Sequence, residues 1–572
     1  MRVLFVYNEV ECLGLEYLSA VLKQHGHQTA LAFDPRLFDF FRHEYRNEFL
    51  ANVFNFRKDV LRKVVAFQPD AIGFQVLSAN YPWAVETATE IKKLLPEVPI
   101  IFGGYHPTAS PKHVLENKCV DYIIRGEGEH AFLDLIQMLD AGEVDPTTQN
   151  LVMRHNGDYI ENDVRPYIND LDILPFPDKD LFYSYGSPFN IAHMIMTRRG
   201  CPYGCTFCGN NLWRKIYFKD DPNYMFTPKF LRGRTPENVV EEMRVIKNKY
   251  GVKLLRINDD DFPYDVRWLT RFSEVLTDDA RLPYKCFVNP NSMNEETAHL
   301  LKITGCEQVQ MGVQSMNPTL RKVMGRPMPE KIIARAVNVI ENEGIGLFCD
   351  QIYGLPGENE DDYKSMINFY RANPTDFVNV YWINYFPGTD MVQQGVDAGV
   401  LTQEQADEMQ KNPVAGDVST ISAHHHERGK KYKVYMEGYN YLPVWLCDFM
   451  MKSGLWWVAG KLNIFRLFRF LYSFRLSSKA DHFPRPKIGY DISSFRGPAM
   501  AKRFMWLKVR SWFGKEATIY DDKGKAGGPA KPTDLELAKV ALPLVEGWKE
   551  RKLAEARLQK TIAEETSATR VA

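Results

Sequence analysis

Apolar positions in the first 140 residues fall into short runs separated by amphipathic stretches. Arg2–Tyr7, Gln28–Phe33, Ala71–Gln75, Ile100–Phe102 and Tyr122–Ile124 read as strands. Leu15–Gln24, Arg57–Phe67, Pro82–Leu94 and Glu129–Leu139 repeat their apolar residues at helical spacing and lie between or after those runs. Alternation of this kind with brief Gly or Pro punctuation predicts an open, doubly wound α/β sheet with a ligand crevice at the strand carboxyl ends. Gly73, Gly103 and Gly104 flank those ends, where a missing side chain lets the backbone approach a ligand closely.

A second alternating series follows. Leu254–Asn258, Lys285–Asn289, Gln308–Val313, Gly346–Ile352 and Asn379–Asn384 read as strands, with helices over Pro236–Tyr250, Val266–Leu276, Asn294–Ile303 and Pro329–Glu343. Pro236, Asn294 and Pro329 sit where helix starts are expected. The pattern predicts a parallel α/β barrel, whose active site belongs at the strand carboxyl ends. Polar clusters fall there: Asp259-Asp260-Asp261-Phe262, Gly312-Val313-Gln314-Ser315, and the run from Asp350 through Gly354 to Glu358. Phe386-Pro387-Gly388-Thr389 reads as a turn.

Beyond Val400 the periodicity gives way to density of one kind. Between Tyr439 and Phe513 Trp, Phe and Tyr are interleaved with Lys and Arg, and acids are few. Such a stretch suits a helical cap packed on the barrel, or helices lying in a membrane interface. It does not suit a membrane span, because Lys452, Lys461 and Arg466 interrupt every apolar run before the roughly 18–20 residues required. His424-His425-His426 cannot all face one ion and reads as a solvated loop. After Asp521 a Gly, Lys and Pro stretch precedes a charged helical pattern from Thr533 to Glu564. The expected organisation is a first domain over residues 1–145, a linker over 146–190, the barrel over 191–400, an aromatic and basic helical region over 401–520, and a helical tail over 521–572.

Composition narrows the function classes. A net charge of −1 over 572 residues argues against bulk nucleic-acid binding. The opening Met1-Arg2-Val3-Leu4-Phe5-Val6-Tyr7 passes at once into a strand and has no signal-peptide form. Nine cysteines without a disulfide framework fit a reducing cytoplasm.

Three of those cysteines carry the chemistry. Cys201, Cys205 and Cys208 stand in Arg199-Gly200-Cys201-Pro202-Tyr203-Gly204-Cys205-Thr206-Phe207-Cys208 with no fourth cysteine nearby. Structural zinc wants four ligands, typically in pairs, and Cys119 and Cys286 stand alone. An iron–sulfur cluster held by only three thiolates leaves one iron open to an external ligand. Cys12, Cys306, Cys349 and Cys447 are isolated and read as small core hydrophobes.

The C-x3-C-x2-C spacing, with Phe207 before the third cysteine, resembles the signature of the radical S-adenosylmethionine (SAM) superfamily. The resemblance implies a 4Fe-4S cluster on Cys201, Cys205 and Cys208 that chelates SAM, cleaved to a 5′-deoxyadenosyl radical by an electron from a reducing donor. It implies further that Asp260 or its neighbours face the methionine amino group, and that Gln314 and Ser315 face the ribose or methionine end. Phe207 and the segment from Ile352 to Gly354 border the adenine. Ahead of that domain, Ser78, Gly103-Gly104-Tyr105-His106, and Arg125-Gly126-Glu127-Gly128-Glu129 resemble the cobalamin-binding members, with Ser78, Gly103, Gly104, Gly126 and Gly128 at the cofactor. The segment Asp-x-His-x-x-Gly, which supplies the lower cobalt ligand elsewhere, is absent, so no protein imidazole is expected on cobalt. His106 reads as an ordinary polar loop histidine. The implied fold is a Rossmann-like cobalamin domain, a partial radical SAM (β/α) barrel and a mostly helical C-terminal region.

The expected activity is methylation of an unactivated carbon, one SAM methylating cobalamin and a second yielding the radical. The aromatic C-terminal region points to a lipid, isoprenoid or tetrapyrrole substrate, with peripheral membrane contact in view. One alternative is oxidative ring formation of the anaerobic porphyrin-ester cyclase type with the same cofactors. Another is a cobalamin-responsive sensor or scaffold, which has no need for an open cluster site.

Overall fold

The computed structural model describes residues 1–8, 10–38, 47–186, 189, 192–224, 228–411, 423–465 and 496–512. The first sheet comprises β1 (Arg2–Asn8), β2 (Gln28–Asp34), β3 (Ala71–Gln75), β4 (Ile100–Gly103), β5 (Tyr122–Ile124), β6 (Leu151–His155) and β7 (Asp158–Glu161). Its order is β2-β1-β3-β4-β5-β6-β7, parallel through β5 and antiparallel beyond. β1 runs as an unbroken apolar stretch because helices cover both of its faces, leaving Val3, Leu4, Phe5 and Val6 wholly buried. Strand order reverses between β1 and β3, and a crevice opens at the carboxyl ends beside such a switch point.

Because β6 and β7 extend this sheet, the stretch 146–190 is not merely a linker. Ile123 pairs with Val152 and Val152 with Glu161, so the first sheet continues to Glu161. The sequence hides this because β7 is polar and exposed along most of its length.

The second sheet is all parallel. It contains β8 (His193–Ile195), then, after the short antiparallel pair β9 (Arg198–Arg199) and β10 (Arg232–Gly233), β11 (Leu255–Ile257), β12 (Tyr284–Val288), β13 (Cys306–Gln314), β14 (Gly346–Tyr353) and β15 (Phe377–Trp382). Spatial order follows chain order from β8 to β15, as in a partial barrel. One face gives Leu255, Cys286, Val309, Leu347 and Val378 to a core shared with the covering helices. Period-two alternation puts Arg256, Lys285, Phe287, Gln308, Gln310, Phe348, Asp350 and Asn379 on the other face. β8 escapes a periodicity reading because it is three residues long.

Helix starts follow their caps. The Asn294 carboxamide accepts from the Thr297 amide at 2.9 Å, and Pro236 occupies the first turn behind the N-cap Thr235. The helix Ala423–Tyr439 covers β15, with Val444–Ser453 and Leu455–Lys461 stacked on it, and the open edge of β15 is satisfied by Asn440: its side chain accepts from the Val378 amide at 2.8 Å and donates to the Val378 carbonyl at 3.0 Å. His424-His425-His426 stand in the first turns of the first of these helices rather than in a loop.

The helix Arg496–Trp512 packs on the first domain instead. Phe504 meets Phe33 and Phe56 with ring centroids 6.1 and 5.8 Å away, and Lys508 pairs with Asp59 at 3.0 Å. The expected 401–520 region is therefore divided between the two sheets. The helical pattern over Thr533–Glu564 lies outside the described residues.

Candidate active site between the two sheets

Beyond β9 the chain turns at Gly200, whose φ of 87° suits glycine and whose Cβ would lie 2.3 Å from the Phe230 carbonyl oxygen. The cysteine loop ends where Cys208 caps the helix Gly209–Tyr217. Buried Arg214 on that helix donates back to the Cys201 carbonyl. The Thr206 amide donates to the Met324 carbonyl at 3.1 Å, and its own carbonyl accepts from Met391 at 3.0 Å. Gly325 packs so closely that a Cβ would sit 2.3 Å from the Gly204 carbonyl oxygen.

Arg326 follows, donating to the Cys205 sulfur at 3.4 Å and to the Gly312 carbonyl at 2.6 Å. Burial pushes the Cys208 thiol up to about 12 and Cys201 higher still, with Asp260 and the neighbouring thiols adding to the rise. Ligation of an iron centre takes the thiolate, so binding there would release the Cys201 and Cys208 protons that burial otherwise retains. Among the described residues no three Cys, His, Asp or Glu side chains converge as ligands of a single ion would.

The acidic triplet after β11 divides its labour. Asp259 accepts from the Thr197 amide at 2.8 Å, the Arg198 amide at 3.2 Å and the Thr197 hydroxyl, fixing β8 to β11. Asp261 accepts from the Asn289 amide at 3.0 Å and the Ser292 hydroxyl at 2.7 Å, fixing β11 to β12. Burial raises both carboxyls, to about 6 and about 7, while these donors pull the other way. Asp260 alone turns into the cavity, held by the Asn210 carboxamide at 3.0 Å.

Gln314 closes β13 with φ of 73°, and the Ser315 amide donates to the Val313 carbonyl at 3.0 Å, making a γ-turn. A side chain held at positive φ costs on the order of 1–3 kcal/mol and concentrates at functional sites. Gln314 folds over Gly312, beside Arg326. Ser315 is turned the other way: its hydroxyl accepts from the Asn317 amide at 3.2 Å and its carbonyl from Arg321 at 2.8 Å. Phe207 and Ile352 meet in one apolar cluster with Leu320, Met324 and Leu355. Gly354, at φ 79°, donates its amide to Glu358 at 2.6 Å.

From the other side come the glycines of the first sheet. Gly73, Gly103, Gly104, Gly126 and Gly128 line a cavity of about 340 Å³ whose opposite wall is Arg199, Gly200, Asn210, Trp213 and Asp260. The strand carboxyl ends of both sheets thus open into one space. Gly104 at φ 99° and Gly126 at φ 74° have no room for a Cβ, which would meet Gln75 and Val76 in one case and the Tyr217 hydroxyl in the other. Ser78 is not brought there: it is buried behind β3 with its hydroxyl 3.2 Å from His106 Nδ1. His106 is itself buried against the Tyr81 ring, away from the cavity lining, and desolvation depresses it to about 3.

Sequence reasoning missed the ionic seam across this space. Arg199 pairs with Glu127 at 3.1 Å and Glu129 at 2.6 Å, and Arg232 pairs with Glu127 at 2.8 Å. Burial opposes ionisation of Glu129, yet Arg199 holds it below the usual carboxylate range. Deeper in, Lys179 sits between Glu11 at 3.1 Å and Glu16 at 2.6 Å. Acids flanking Gly126 and Gly128, and an arginine just before Gly200-Cys201, were the available signal; nothing local says that they meet.

Residues 2–136 match the B12 binding domain family model, and residues 195–370 match that of the radical SAM superfamily. An uncharacterized methyltransferase of Pyrococcus horikoshii is 25% identical over 396 residues, which cover 68% of this chain and 79% of that protein. The anaerobic magnesium-protoporphyrin IX monomethyl ester cyclase of Rubrivivax gelatinosus is 23% identical over 419 residues, covering 69% and 70%. Among solved structures, the radical S-adenosylmethionine methyltransferase TsrM of Kitasatospora setae, with cobalamin and a [4Fe-4S] cluster bound, superposes with a TM-score of 0.52 at 17% identity, covering 69% of this chain and 75% of its own. The cobalamin-dependent S-adenosylmethionine radical enzyme OxsB superposes with a TM-score of 0.56 at 15% identity over 96% and 83%.

Proposed function

We propose, for a chain that belongs to the cobalamin-binding radical SAM enzymes of the methyltransferase and cyclase type, that its reaction is methylation of an unactivated carbon in a small, largely apolar molecule. The observation that carries this reading is the shared cavity: the glycine-lined ends of the first sheet and Asp260 with the loop that bears the cysteines bound the same space. Bound there, cobalamin supplies a methyl group and the cluster with SAM supplies a 5′-deoxyadenosyl radical.

The chain's own residues then act as holders. Cys201, Cys205 and Cys208 bind the cluster, and Arg326 donates to Cys205 while anchored on Gly312. Asp260, oriented by Asn210, takes the methionine amino group, and Gln314, folded over Gly312, serves the ribose or methionine end. Phe207, Ile352 and Gly354 bound the adenine. Gly103, Gly104, Gly126 and Gly128 let backbone approach the corrin. On the inner face of the second sheet Phe287 and Phe348 flank Lys285 at 5.8 and 6.0 Å, and Gln310 and Asn379 hold Asp350 at 2.6 and 3.0 Å. That face favours a substrate with an apolar body and at least one polar group, as tetrapyrroles and functionalised lipids have.

The test is anaerobic purification with iron and sulfide reconstitution, followed by the visible spectrum of bound cobalamin and the products of SAM. Bound cobalamin with 5′-deoxyadenosine and S-adenosylhomocysteine is the expected result. 5′-Deoxyadenosine without S-adenosylhomocysteine, in the presence of substrate and bound cobalamin, would overturn methyl transfer in favour of cyclase-type chemistry, to which the Rubrivivax relative lends weight.

A further inference from the structure

Two consecutive helices carry a face that the other described residues leave uncovered. On Val444–Ser453, Trp445 is 69% and Phe449 53% exposed; on Leu455–Lys461 and the residue after it, Trp457 is 56% and Leu462 61% exposed, with Leu455 and Val458 exposed beside them. Trp445 and Phe449 lie four residues apart, as do Val458 and Leu462, so each pair occupies one helix face. The opposite faces are anchored: Cys447 and Ala459 are buried, and Trp456 packs against the cluster of Val434, Ala459 and Phe465. Single exposed apolar residues are ordinary, but a run of them on adjoining helices marks a surface that meets something apolar.

The charges around the patch identify what it meets. Lys452 and Lys461 are exposed, and Lys461 extends over the Trp457 ring at 4.9 Å. The one acid between residues 440 and 465 is Asp448, and it is engaged by Arg371 and by the Tyr435 hydroxyl. Residues 466–512 continue in the same sense, with eleven Lys and Arg against two Asp. Aromatic rings ringed by lysines and starved of acids suit the boundary between anionic headgroups and acyl chains, where Trp is at home and a lysine stem reaches the headgroup layer. A protein partner would meet few polar groups here with which to fix register. Among the described residues no helix is long and apolar enough to cross a bilayer.

We propose that this face docks the protein on the surface of an anionic lipid bilayer, Trp445, Phe449, Trp457 and Leu462 entering the interface and Lys452 and Lys461 contacting the headgroups. The proposal is independent of the reaction assigned above. It places the two helices stacked on Ala423–Tyr439 against the membrane.

Co-sedimentation of the full-length protein with vesicles of mixed phosphatidylglycerol and phosphatidylcholine, against vesicles of phosphatidylcholine alone, tests this. Binding is expected to the anionic vesicles, with a blue shift of Trp fluorescence, and to weaken as salt is raised. Trp445→Ser with Trp457→Ser, or Lys452→Glu with Lys461→Glu, is expected to weaken it by roughly tenfold or more while circular dichroism and bound cobalamin stay as in the parent protein. Failure to bind anionic vesicles overturns the proposal. So does binding that both double variants retain, or a variant-sensitive self-association in light scattering without vesicle binding, which would assign the face to a second copy of the chain.

Discussion

The Arg199 guanidinium lies 2.6 Å from the Glu129 carboxylate, so the residue two before Cys201 is clamped to the residue just after Gly128. A pair separated by 70 positions ties the cysteine loop to the glycine loop of the first sheet. Removing one partner of a buried pair strands the other charge, at a cost of about 3–5 kcal/mol. Arg199→Met is therefore expected to lower the midpoint of chemical denaturation and to release cobalamin on desalting. Adding Glu129→Gln should recover part of the stability. Denaturation curves and the visible spectrum check both.

The three adjacent aspartates are expected to respond differently to the same change. Asp260→Asn should leave the thermal midpoint near that of the parent but raise the SAM concentration needed for 5′-deoxyadenosine formation by tenfold or more, since one charge-assisted hydrogen bond is worth about 1.5–3 kcal/mol. Asp259→Asn keeps one oxygen for the Thr197 and Arg198 amides but replaces the acceptor of the Thr197 hydroxyl with a donor, and should act chiefly on stability. Equal loss of SAM affinity in both variants would sink the division of roles.

Gly104→Ala places a methyl group 2.8 Å from Gln75 and 2.9 Å from the Val76 carbonyl at a φ of 99°. The expected result is weaker cobalamin retention with the iron content of the cysteine site unchanged. Gly26→Ala, at φ 81° with nothing within 4 Å, supplies the control for strain alone. Absorbance and iron assay on the same preparations separate the two.

Stability should fall on mild acidification because of His193. Its Nδ1 is 2.6 Å from the Tyr183 hydroxyl, and burial, then the Lys179 charge, hold it down to about 4. The unfolded chain protonates near 6.5, so between these values it binds the proton that the folded protein refuses. The stabilisation is present above pH 6.5 and is lost as pH falls toward 4, amounting to about 2 kcal/mol between pH 7 and pH 5. Glu242, where burial is outweighed by Arg234, His193 and Lys179 together so that the carboxyl is held at about 2, adds its own loss only below pH 4.5. Denaturant titrations of the parent and of His193→Gln should diverge across pH 7 to 5; parallel curves would refute the assignment.

Local pattern was enough for most of the strands and helices of the two sheets and for the resemblance that the cysteine loop carries. A run such as Val3–Val6 became a strand because a strand buried on both faces must be apolar throughout, and that is written in consecutive residues. The spacing of Cys201, Cys205 and Cys208 is equally local, as are the caps at Asn294 and Pro236. What tertiary structure alone decided is everything that joins distant segments. It left Asp260 alone of three identical neighbours on the cavity wall, because the register of β8, β11 and β12 consumes Asp259 and Asp261 as acceptors. It withdrew Ser78 from the cavity, brought Arg199 to Glu129, extended the first sheet through β6 and β7, and sent Phe504 to pack on Phe33. Periodicity records which side of an element faces a core, but not which other element supplies that core, and the latter is settled only when the whole chain has packed.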